Sequence, residues 1–188
     1  MPADVIDKAN LRISPEVFEA TLLEDERKVV GRFDGRLTGY DPMPLDRNPE
    51  FDPSLSAFLG AYGGAFNAYV RQELKFESDL NYHVLNDLES WDLGPSGSGP
   101  LYVADRLRRT IAATPNLKVL FAGGYHDLAT PYLATRHTID HMVLSPELRK
   151  NITEINYEGG HMMYHRLESL KKLNGDITTF ITDAAKRP

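Results

Sequence analysis

The sequence predicts an α/β protein of uneven build. A helix- and loop-rich stretch over residues 1–100 precedes a short parallel-sheet segment over 101–188. Three observations carry that expectation. Two apolar runs, 118–122 and 152–157, each lead into a Gly-Gly turn, Gly123-Gly124 and Gly159-Gly160. Helical patterns alternate with them, and strand–helix–strand–helix order marks parallel strands joined by crossovers. Ahead of both lies GPSGSGP at 94–100, the composition of a flexible boundary.

Taken in order, Ser14-Pro15 is an N-cap followed by a first-turn proline. Val17, Phe18, Thr21 and Leu22 continue at helical spacing, so a short helix is expected over roughly 15–24. The charged residues 24–28 form its solvated end. Residues 29–54 combine glycine, proline and aspartate and read as an ordered loop, packed through Phe33, Leu37 and Tyr40. Asp52-Pro53 opens the strongest helix, in which Leu55, Phe58, Leu59, Tyr62, Phe66, Tyr69, Val70 and Leu74 recur every three or four residues. That stripe reads as core, with a lid helix whose aromatics line a substrate cleft as the alternative. Gly60, Gly63 and Gly64 weaken the helix and suggest close approach by another backbone.

Residues 75–100, with Trp91, are loop-like, and an amphipathic helix from Leu101 through Ala104, Leu107, Arg108 and Ile111 ends at Thr114-Pro115. The run 118–122 is continuously apolar, the pattern of a strand buried on both faces. The run 152–157 alternates more and belongs nearer an edge. Thr130-Pro131 is expected to cap a helix reaching about His141. Asp176 is expected to cap a final one that turns Ile177, Phe180, Ile181 and Ala184 inward. Two parallel strands make too small a sheet to stand alone. Their edges and faces therefore call for a dimer, a swapped assembly or an associated N-terminal polypeptide.

Composition removes several functions. The 188 residues carry a net charge of −6, which offers no electrostatic basis for binding nucleic acid or an anionic membrane. Apolar residues make up 41% and charged residues 26%, an ordinary globular balance, and no apolar run approaches a membrane span. The absence of cysteine excludes disulfides, thiolate catalysis and cysteine-ligated zinc. Residues 1–13 lack the hydrophobic centre of a signal peptide.

Each Gly-Gly turn delivers a residue with catalytic potential: Asp127 after the first, His161 after the second. Parallel sheets gather functional groups at the carboxyl ends of neighbouring strands. An acid followed by a histidine in that setting is the back half of an α/β-hydrolase triad, whose chain order is Ser, Asp, His. Alone, Asp127 would be a turn or capping aspartate and His161 a surface histidine. The nucleophile is missing. No G-x-S-x-G occurs; Ser96 and Ser98 fall in the linker, Ser54 and Ser56 at a helix start, and Ser145 before a proline. Zinc is the competing chemistry, because His137/His141 and His161/His165 are spaced four apart, but no H-E-x-x-H or third ligand accompanies them. Gly123-Gly124 is too short for a phosphate loop and precedes Tyr125-His126 rather than Lys-Ser.

The segments NLRISPEVF (10–18), VVGRFDGRLTGYD (30–41), DPSLSAFLGAYGGAFNAYVRQEL (52–74), PNLKVLFAGGYHDLATPYLATRH (115–137) and YEGGHMMYH (157–165) together resemble the bacterial branch of the serine carboxypeptidase family. The likeness runs from about residue 4 to 183, and G-Y-x-D-L-A-T-P and G-G-H-M-M-Y are its specific pieces. The resemblance implies the C-terminal portion of an α/β-hydrolase: most of a lid-like insertion over 1–100, then the last strands of the sheet. It implies Asp127 and His161 as triad acid and base. Tyr62, Phe66 and Tyr69 become candidates for the substrate side-chain pocket. The substrate would be a peptide cut at its C-terminus, and no cofactor is implied. The nucleophile of G-E-S-Y-G-G, the oxyanion glycines and the carboxylate-binding groups would lie upstream. They would reach the site from an N-terminal half or a second copy of the chain. Export to the periplasm or outside the cell follows if the parent protein is exported. A non-catalytic binding module, or a degenerate remnant using the aromatic helix as its partner surface, is the other reading.

Overall fold

The computed structural model describes residues 1–41, 51–85 and 103–186. Trp91, the linker at 94–100 with Ser96 and Ser98, and Leu101 lie outside the described residues. The chain divides into two compact units. One comprises Met1–Arg32 and Leu37–Ser98, the other Phe33–Arg36 and Gly99–Pro188. The sequence did not predict that four residues of the early loop would belong with the second unit.

In the first unit, helix α1 spans Ala3–Lys8 and α2 spans Pro15–Thr21, with the Ser14 hydroxyl accepting the Val17 N–H at 3.3 Å. Strands β1 (Lys28–Val30) and β2 (Thr38–Tyr40) pair antiparallel, Val29 opposite Gly39. The stretch expected as loop therefore contains a hairpin, driven by Val29 and Val30, which are buried. Their two-residue apolar run is too short to stand out among the surrounding turn residues. Helix α3 (Pro53–Gln72) begins as the sequence predicts: Asp52 accepts the Ser54 and Leu55 N–H groups at 2.8 and 3.3 Å.

The aromatic stripe of α3 is not core. Tyr62, Phe66 and Tyr69 are 48%, 41% and 51% exposed, and only Pro53 and Ser54 of this helix are buried. Helical spacing shows that these side chains share a face; whether that face is covered depends on what packs against it. Neither does a backbone approach the helix glycines among the described residues. Gly60 and Gly64 face open space, and Gly63 meets only the Val84 side chain.

In the second unit, α4 (Ala104–Ala113) leads to β3 (Val119–Gly124), then α5 (Tyr132–Asp140), the single turn α6 (Pro146–Arg149) and β4 (Ile152–Tyr157). After a 3₁₀ turn at Met163–His165, α7 (Leu167–Ala185) closes the unit. Strands β3 and β4 run parallel, with Val119 opposite Ile152 and Gly124 opposite Tyr157. Ala104, Ile111, Ile139, Met142 and Ile152 form the core, joining α4 and α5 to β4, with Val119 and Phe121 of β3 packed against them.

Three expectations fail here. Ile177, Ile181 and Ala184 of α7 are exposed rather than turned inward. Strand β3 is not buried on both faces: Val119, Leu120 and Phe121 are half-buried and Ala122 is exposed. Asp176 caps no helix. It lies within α7, where Tyr157 donates its hydroxyl to the carboxylate at 2.9 Å and Lys172, one turn earlier, pairs with it at 2.9 Å. Helix α7 runs unbroken through Asn174-Gly175-Asp176, the residues that resemble a cap.

Candidate active site

The ends of β3 and β4 are adjacent because the strands are parallel and in register, so the turns that leave them are stacked. Tyr125 N–H donates to the Tyr157 carbonyl at 3.0 Å, and His126 N–H to the Gly159 carbonyl at 2.9 Å. The ladder thus continues past the strands into the turns. Gly124 allows this: a Cβ there would stand 2.6 Å from the Gly159 oxygen, inside van der Waals contact. The glycines serve close approach between backbones as well as the bending the sequence suggests.

This stacking brings Asp127 and His161 together. His161 Nδ1 lies 2.9 Å from Asp127 Oδ2. A carboxylate only accepts, so the proton of a neutral imidazole resides on Nδ1 and Nε2 carries the lone pair. Asp127 is 4% exposed and fully engaged. Its Oδ1 accepts the Ala129 and Thr130 N–H groups, both at 2.8 Å, and its Oδ2 also accepts the Thr130 hydroxyl at 2.6 Å. The His161 side chain is 38% exposed, and its Nε2 has no hydrogen-bond partner among the described residues.

A cleft of about 200 Å³ adjoins the pair, lined by Asp127 and His161 together with Phe121, Thr130, Tyr132, Glu154, Asn156 and Tyr164 among others. No serine among the described residues lines it. The Glu154 side chain, 9% exposed, receives Arg136 at 3.3 Å, an ion pair that raises the arginine's pKa through hydrogen bonding and charge. Ser145 caps α6, Ser54 bonds Asp52, and Ser169 donates to the Glu158 carbonyl.

Two contributors were not legible in the sequence. Thr130 reads as a helix cap beside Pro131, yet α5 has no side-chain cap and the Thr130 hydroxyl serves Asp127 instead. Phe33 reads as a packing residue of the loop. Its carbonyl accepts the His161 N–H at 2.6 Å and its ring lies against the imidazole. No local pattern announces a contact between segments so distant along the chain.

Tyr62, Phe66 and Tyr69 belong to the first unit. Phe66 stacks on Tyr82 at 4.1 Å and helps line a groove of about 240 Å³, whereas Tyr62 and Tyr69 do not line it. The histidine pairs do not form a ligand set. His137 and His141 stack ring on ring at 3.9 Å, with His141 Nδ1 taken up by the His137 carbonyl, and His165 packs edge-on against Tyr164. Among the described residues no three His, Cys, Asp or Glu side chains are grouped to hold a metal ion, and no helix is long and apolar enough to cross a membrane.

No protein-family model, curated protein or solved structure matches the chain. The class defined by the fold is a mixed helix-and-strand protein with a small parallel sheet, compatible with α/β.

Proposed function

We propose that this chain supplies the acid and base of a Ser-His-Asp hydrolase of serine carboxypeptidase type, and that the nucleophile comes from another polypeptide. The supporting observation is the 2.9 Å contact between His161 Nδ1 and buried Asp127, at the ends of adjacent parallel strands. With its proton held on Nδ1, His161 offers Nε2 as the base. A serine Oγ placed there attacks the peptide carbonyl as its proton passes to Nε2. The C–N bond then breaks as Nε2–H protonates the leaving amine, and water, deprotonated by the same nitrogen, cleaves the acyl-serine. Asp127 orients the ring and stabilises the imidazolium.

Thr130 is not that nucleophile. Its hydroxyl donates to Asp127 Oδ2 and lies 3.3 Å from Nδ1, on the wrong side of the ring for Nε2. The test is peptidase activity in a preparation containing this chain and a serine-bearing polypeptide. His161→Ala should abolish turnover, and retained turnover would overturn the assignment.

The second reading, a non-catalytic binding module, is favoured by the absence of a serine from the cleft lining among the described residues and by the exposed aromatic face of α3. A fluorophosphonate probe tests the shared premise on the chain alone. No serine should react, and labelling of any serine here would show that the chain has its own nucleophile.

A further inference from the structure

One hydrogen bond does not by itself hold a half-exposed ring. The His161 side chain is 38% exposed, and rotation about its Cα–Cβ and Cβ–Cγ bonds breaks the Nδ1–Oδ2 contact and swings Nε2 away from any reacting atom. Something else must hold the ring, and in the second unit it is the segment 33–36.

That segment lies across both turns at once. On the base side, the Phe33 carbonyl accepts the His161 N–H at 2.6 Å, and Phe33 and Asp34 occupy the space beside Gly160, where an added Cβ would stand 2.6 Å from Asp34 Cβ. On the acid side, Gly35 N–H donates to the His126 carbonyl at 2.8 Å. The Phe33 ring packs against the imidazole with centroids 5.2 Å apart and planes tilted by 58°, which blocks one direction of rotation.

The segment is closed on itself by charge. Asp34 accepts Arg36 Nε at 2.9 Å, a second guanidinium nitrogen at 2.6 Å and the Arg36 N–H at 3.1 Å. Burial pushes the Asp34 carboxyl up, but the hydrogen bonds and charge of Arg36 outweigh it and hold the group below its usual range, so it stays ionised. Around this pair stand His126 and Glu158, themselves 3.5 Å apart, with His126 favouring ionised Asp34 and Glu158 favouring charged Arg36.

We propose that Phe33–Arg36 is a positioning strap for the base, in which Phe33 holds the His161 imidazole on Asp127 and the Asp34–Arg36 pair keeps the strap in place. The inference deepens the triad reading and rests on it for its catalytic meaning. Phe33 touches no reacting atom; it acts through His161. A displacement of Nε2 of about 1 Å is enough to cost on the order of a hundredfold in rate.

The test reads the imidazole itself, in the full chain, by nitrogen-edited NMR. A held Nδ1–H gives a slowly exchanging proton signal. Phe33→Ala should speed that exchange by about tenfold or more, as the ring samples orientations without the Asp127 bond. Phe33→Tyr, which keeps the ring, should restore the wild-type rate. Unchanged exchange in folded Phe33→Ala would overturn the proposal. Should that variant fail to fold, Phe33→Leu keeps the bulk without the ring and decides by the same criterion. In the serine-complemented preparation, Phe33→Ala should lower kcat with KM unchanged. Retained turnover of His161→Ala would sink the triad reading while leaving the NMR result intact, so the two failures are distinguishable.

Discussion

Gly124 lies against Gly159 and Gly160, whose backbone atoms occupy the place of any side chain at residue 124. The contact joins the end of β3 to the turn after β4, and through it Asp127 and His161 are held at hydrogen-bond distance.

Gly124→Ala should therefore separate the turns. The added methyl meets backbone, which cannot rotate away, so a loss of about 3 kcal/mol is expected in chemical denaturation. The Nδ1–H signal of His161 should weaken with it. A fully stable variant would show that the turns can part without cost.

Asp127→Asn tests the acid more selectively. The amide oxygen can still accept the Ala129 and Thr130 N–H groups, so the turn should fold. The amide nitrogen then faces Nδ1 and, being a donor, favours the wrong imidazole tautomer. In the serine-complemented preparation turnover should fall by roughly ten-thousandfold. Thr130→Val, which removes only the hydroxyl, should cost roughly tenfold, in proportion to one hydrogen bond.

Glu19 predicts a pH dependence. Its side chain is buried and its Oε1 has no hydrogen-bond partner among the described residues. Burial, with Asp52 and Glu16 adding to it and Arg32 opposing it, raises its pKa from 4.5 to about 7. The unfolded carboxyl ionises first as pH rises. Stability should fall from about pH 4.5 through about pH 7 and then level off, by an amount on the order of 3 kcal/mol. Glu19→Gln removes the titrating group, so its stability should be flat across that window in denaturant titrations. A slope equal to the wild type would place the titration elsewhere.

Tyr157→Phe removes the hydroxyl that Asp176 accepts at 2.9 Å. The ring stays to pack beneath Lys172, whose Nζ lies 4.6 Å from its centroid. A loss of about 1 to 2 kcal/mol is expected from the charged hydrogen bond, measured by thermal or urea unfolding. The Nδ1–H signal of His161 should be unaffected.

The edge of β3 predicts association. Among the described residues β3 pairs only with β4, so its other edge has no strand partner there. Light scattering should report a mass above that of one chain, and Ala122→Lys, a charge on an exposed edge position, should reduce it. A monomer in both proteins would count against an edge partner.

The sequence by itself determined what depends on neighbours along the chain: the Asp52 cap of α3, the strand–helix–strand order of residues 119–157, and the placement of an acid and a histidine each just beyond a strand end. It also determined that Tyr62, Phe66 and Tyr69 share a helix face. Periodicity carries no information about what covers that face, so the exposure of these rings was decided by packing. The same holds for Asp176, a cap by composition and a Tyr157 partner in the fold. The 2.9 Å bond between His161 and Asp127, the Thr130 hydroxyl at the same oxygen and the Phe33 strap across both turns were likewise tertiary decisions. Each joins side chains whose local sequences satisfy other structures equally well. Only the parallel register of β3 and β4, with glycine backbones in contact beyond it, selects among them.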